Sequence, residues 1–64
     1  MHDEYIRDHN NRLIGILDYS TTGRVVIRDE NSRYLGCYYE DLNKTYDENS
    51  RYIGEGNQLM RLLR

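Results

Sequence analysis

Strand-like hydrophobic runs alternate with short polar stretches along this chain. Tyr5-Ile6-Arg7, Val25-Val26-Ile27-Arg28 and Lys44-Thr45-Tyr46 each lead into a polar stretch; Leu13 to Leu17, Tyr34 to Tyr39 and Tyr52 to Gly54 follow it. β-branched and aromatic residues suit a pleated, half-buried surface. The polar stretch is nearly the same each time. Asp29-Glu30-Asn31-Ser32-Arg33-Tyr34-Leu35-Gly36 returns as Asp47-Glu48-Asn49-Ser50-Arg51-Tyr52-Ile53-Gly54, and a worn copy runs from Asp8 to Gly15. Asp and Asn side chains bond nearby backbone N–H groups, which is turn chemistry. Two strand-like arms around such a turn predict a β-hairpin. The chain therefore reads as one all-β domain, 1–64, with hairpins over about 5–19, 24–39 and 44–55. A helix would also bring each Asp near its Arg, but the Asn-Ser and Asn-Asn steps and the β-branched arms oppose one.

The turn residues are Asp8, Asn10 and Arg12, then Asp29, Asn31 and Arg33, then Asp47, Asn49 and Arg51. A three-residue hairpin loop wants a left-handed residue just before the returning strand. That position holds Asn11, Ser32 and Ser50; the alternative puts Asn10, Asn31 and Asn49 there. Each Asp–Arg pair is expected to close its hairpin as an exposed ion pair, worth roughly 0–1 kcal/mol. Gly15, Gly36 and Gly54 sit at equivalent places after the turns. A glycine inside a strand marks a bulge or a close approach by another backbone; three at equivalent positions suggest neighbouring hairpins touching there, the alternative being a sharp bend in each second strand.

Further features separate the copies. Leu13-Ile14-Gly15-Ile16-Leu17 is apolar on both faces, which predicts a strand in the middle of the fold or at an interface. Asp18 to Arg24 reads as the longest loop. Strict alternation puts Ile27, Leu35 and Cys37 on one face and Val26, Tyr34 and Tyr38 on the other. The third hairpin carries Thr45 and Glu55 where the others are apolar, as an edge kept soluble by polarity would. After Gly54-Glu55-Gly56, Asn57 can cap a short helix over about 57–63, with Leu59, Met60, Leu62 and Leu63 at helical spacing; a final strand is the alternative. Leu13, Leu17, Tyr34, Tyr38, Tyr52, Leu59, Met60, Leu62 and Leu63 are the candidate interface residues.

Composition sharpens this picture. The 64 residues include seven Tyr, no Phe, Trp or Pro, and one Cys. So short a chain buries only about 60% of its unfolded surface. With neither an internal disulfide nor a zinc-ligand pattern, self-association is the remaining route to stability. Tyrosine hydroxyls need water or a partner, which suits half-exposed faces. A net charge of −2 gives no long-range pull on nucleic acid or anionic membrane. No apolar run is long enough to span a bilayer. Met1-His2-Asp3-Glu4 does not resemble a secretory leader, so the expected compartment is the cytoplasm.

Candidate chemistry is sparse. Cys37 has no neighbouring base and reads as a small buried residue. His2 beside Asp3 and Glu4 lacks the fixed geometry of a metal site. Asp-x-Asn-x-Arg begins like a calcium loop, then places a cation where an oxygen belongs. The expectation is no enzyme, no metal and no cofactor. Tyr beside Arg, as at Arg33-Tyr34 and Arg51-Tyr52, could stack on single-stranded nucleic acid, but the same stripes serve hairpin packing.

With its preceding strand, the triple Asp-x-Asn-(Ser/Asn)-Arg-x-(Ile/Leu)-Gly resembles the small bacterial hairpin-repeat proteins called four-fold β-flowers. The likeness covers roughly Tyr5 to Gly54. It departs in showing three units where that name implies four, and in lacking the turn glycine. The resemblance implies a radial hairpin fold and carries over no catalytic residue. The functional expectation is a self-associating interaction or assembly module with a further protein partner, the runner-up being a small phage or accessory protein that binds single-stranded nucleic acid or a host protein.

Overall fold

The three hairpins form and join edge to edge in one antiparallel sheet. The computed structural model describes residues 3–63. The strands are β1 (Asp3–Arg7), β2 (Leu13–Thr21), β3 (Arg24–Arg28), β4 (Tyr34–Tyr39), β5 (Lys44–Asp47) and β6 (Tyr52–Glu55). They pair in chain order, so β1 and β6 are the two edges. β2 is interior to the sheet, as its apolar composition predicts.

All three repeated turns adopt one conformation. The Asp8, Asp29 and Asp47 Oδ1 atoms each accept two backbone N–H groups, from the residues two and four positions on. Asn11, Ser32 and Ser50 take φ of 62°, 67° and 63°, so the left-handed position is the one before each Arg. The Asp–Arg link runs through the arginine main chain, not through the expected ion pair. The aspartate oxygen is committed to capping the turn, and the three arginine side chains are exposed. Just beyond each turn the register slips by one residue, leaving Ile14, Leu35 and Ile53 as bulges.

Those bulges correct the expected faces. A bulge puts two residues opposite one and resets the alternation beyond it. Ile27 and Leu35 do share a face, as do Val26 and Tyr34. Past the Leu35 bulge, however, Cys37 pairs with Val26 and Tyr38 pairs with Val25, so Cys37 and Tyr38 exchange sides. The connections between hairpins are also tighter than the composition suggests. β2 continues to Thr21, and Thr22-Gly23, with Gly23 at φ 81°, makes the turn into β3. The Ser20 N–H donates to Asp18 Oδ1 at 2.9 Å, a two-residue reach like that in the repeated turns.

One face is covered by the C-terminal segment. Leu59–Leu62 forms a single 3-10 turn, shorter and tighter than the expected helix. Asn57 does act at its start, its Oδ1 accepting the Leu59 N–H at 3.1 Å. The segment crosses the sheet from β6 toward β2. A Cβ on Gly36 would lie 2.5 Å from Leu62 Cδ1 and would overlap the Tyr46 carbonyl oxygen. A Cβ on Gly15 would lie 2.6 Å from Leu63 Cδ2, and Gln58 sits over Gly54. The repeated glycines are thus the floor on which the tail rests. Leu59 packs with Leu17, Val25, Ile27 and Leu35 to form the core. Thr45 is fully buried; its hydroxyl donates to the Gly56 carbonyl at 2.7 Å and accepts the Gln58 N–H at 3.0 Å. It is the polar post that anchors the tail, not a solvent-facing edge residue.

Candidate functional site

The opposite face carries Tyr5, Tyr34, Tyr39, Tyr46 and Tyr52, while Tyr38 lies on the covered side. Across its middle, register places Asp18, Val26, Cys37, Tyr46 and Tyr52 in one row. A second row holds Arg24, Tyr39, Lys44 and Glu55. Tyr39 and Tyr46 meet edge to face at 5.7 Å between ring centroids, and Tyr46 meets Tyr52 at 5.9 Å. Aromatic quadrupoles favour such T-shaped contacts. Lys44 Nζ lies 5.8 Å from the Tyr52 centroid, within cation–π range. Toward β2, Arg28 pairs with Asp18 at 3.6 Å.

A shallow groove of about 220 Å3 opens among Tyr34, Cys37, Tyr39, Leu42, Tyr46 and Ser50. Its floor is Cys37, which is buried and free of any disulfide. Loss of hydration, followed by contact with the Cys37 side chain, pushes the Tyr34 hydroxyl up to about 12. Bonds from the Ser20 hydroxyl and N–H hold Asp18 below the usual carboxylate range, with Arg28 adding to them. A second cleft, of about 170 Å3, lies among the hairpin tips between Ile14, Leu35, Tyr34, Arg33 and the carboxylates of Asp29, Glu30 and Glu48.

The candidate interface residues divide between the two faces. Leu17 and Leu59 are buried inside the chain, so they are core and not contact surface. Tyr38, Leu62 and Leu63 pack against that core, and the Tyr38 hydroxyl donates to Asn43 Oδ1 at 2.7 Å. Leu13 is half-buried. Tyr34, Tyr52 and Met60 remain exposed, at 42%, 53% and 56%. Sequence reading missed Tyr39, Tyr46 and Lys44 as partners of these. Their grouping follows only from strand register, although the Tyr38-Tyr39 doublet is a visible hint that both sheet faces carry a ring.

Among the described residues, no group of three or more His, Cys, Asp and Glu could hold a metal ion. His2 lies outside the described residues. No described helix is long and apolar enough to cross a membrane. Comparison with known proteins gives no family: no family model matches the chain, and neither a curated protein nor a solved structure matches it.

Proposed function

We propose that this chain is a non-enzymatic interaction and assembly module of the cytoplasm, and that it self-associates. The observation that supports this best is the contrast in coverage. One sheet face lies under the C-terminal segment, while no described segment crosses the tyrosine face. Tyr34, Tyr52 and Tyr5 add exposed aromatic surface to that side, and aromatic residues are enriched where proteins meet. Two strand edges at opposite ends of the sheet add further unpaired backbone groups. The test is sedimentation equilibrium over a hundredfold concentration range. The expected result is a mass that rises above 7.7 kDa with concentration; a constant monomer mass would refute self-association.

A second reading is favoured by one feature, the Tyr39–Tyr46–Tyr52 cluster with Lys44 and Arg24 on the same face. Rings flanked by cations can stack on single-stranded nucleic acid. A gel shift with labelled oligonucleotides at low salt decides it, because any such binding is strongest there.

A further inference from the structure

The pairing between one hairpin and the next follows a rule that the third hairpin leaves unfinished. Gly15, Gly36 and Gly54 are equivalent, as are Ile6, Ile27 and Thr45, because each pair faces across its own hairpin. Between the first and second hairpins, Ile16 faces Arg28, Leu17 faces Ile27 and Asp18 faces Val26. Between the second and third, the equivalent residues face each other in the same way: Cys37 with Tyr46, Tyr38 with Thr45, and Tyr39 with Lys44. Over these three pairs one register governs both junctions, although β2 and β3 slip out of it beyond Asp18, toward their connecting turn.

Applied once more, the same register takes β6 onto the β1 of another molecule. It places Glu55 opposite Arg7, with Gly54 opposite Asp8 and Gly56 opposite Ile6. The one acidic side chain on β6 thus meets the one basic side chain on β1, and both are exposed. Opposite charges facing each other across strands are favourable. Backbone polarity agrees. The Gly56 N–H bonds the Asn43 carbonyl at 2.7 Å, and antiparallel alternation then turns the Glu55 N–H and C=O to the free side. By the same alternation, Arg7 turns its groups outward on β1. Gln58 Nε2 donates to the Glu55 carbonyl at 3.0 Å, which leaves one lone pair for a neighbouring strand. The tail leaves the sheet at Gly56 and crosses the covered face, so it does not lie along the β6 edge.

We infer that a second copy of this chain docks by adding its β1 to β6 in the register that joins the hairpins within each chain, with Arg7 of one copy against Glu55 of the other. This inference rests on the self-association reading and names its surface. The joint is head-to-tail, so two copies can close a ring through two such junctions, or copies can run on as a filament.

Charge reversal tests the register. Arg7→Glu and Glu55→Arg each put like charges across the junction. Each is expected to weaken association about threefold to tenfold at low salt, as reversing an exposed cross-strand pair does. The double variant Arg7→Glu/Glu55→Arg restores opposite charges and is expected to recover wild-type association. Circular dichroism checks that all three fold, as substitutions at exposed edge positions allow. If the wild type associates but the single variants match it, or the double variant is as weak as either single one, this junction is overturned while self-association through another surface stands. A wild type that stays monomeric overturns both.

Discussion

The two faces of the sheet share six strands and differ in how they are finished. The covered face is built mainly from small and aliphatic residues, joined by Tyr38, with three glycines as floor and leucines as lid. Its polar groups are few and satisfied, Thr45 above all. The open face is built from tyrosines, arginines and carboxylates, with rings meeting edge to face and Arg28 paired with Asp18, while the Arg24 Nε is buried without a hydrogen-bond partner. The difference teaches where stability resides. Burial of apolar surface is the main favourable term in folding, so the covered face supplies most of what holds the chain together, with Val26 and Cys37 buried beneath the rings of the other; under the proposed function it is that tyrosine face that makes contacts.

Leu59→Ala presses hardest on this contrast. Leu59 is 1% exposed at the centre of the lid, and such truncations cost about 2–5 kcal/mol. A domain of this size has only about 3–10 kcal/mol in all. The urea midpoint is expected to collapse or the chain to unfold outright; a near-native midpoint would mean the tail contributes little. Thr45→Val comes next. It keeps the shape but strands the Gly56 carbonyl and the Gln58 N–H, at about 1–3 kcal/mol for each group left buried without a partner. Thr45→Ser retains the hydroxyl and should recover most of the loss in the same melt.

The smallest effect lies on the open face and appears only at alkaline pH. Tyr34 is raised from its ordinary 10.0 to about 12. Between those values the unfolded chain releases a proton that the folded chain keeps. The stabilisation is therefore whole below pH 10 and drains away as pH rises toward 12. Urea midpoints should fall through that window, and should fall less in Tyr34→Phe. Equal declines in the two proteins would show that Tyr34 has no part in the effect.

Much of the architecture was legible because the turns are local. An aspartate that bonds the backbone two and four residues ahead needs only its own octet, so the three hairpins can be read from the letters, whereas the choice of left-handed residue between two neighbouring positions came from the backbone. The assignment of faces failed at Cys37 and Tyr38 because a bulge has no letter of its own. Leu35 looks like any strand residue until its partner strand is seen to skip it. Thr45 misled for a related reason. A threonine among polar neighbours suggests an edge, whereas its hydroxyl is needed by a segment more than ten residues away. The tyrosine cluster was half legible: the number of rings is plain, but their grouping depends on which strands become neighbours.

The C-terminal segment has a consequence for how many hairpins such a chain can have. Gln58, Leu62 and Leu63 meet the glycines of the third, second and first units in turn. Successive units lie two strands apart, about 10 Å, so the tail acts as a ruler marked in hairpins. A gene duplication that inserted a fourth unit would leave one glycine floor uncovered unless the tail lengthened with it. The copy number of the repeat and the reach of the last few residues are bound to change together.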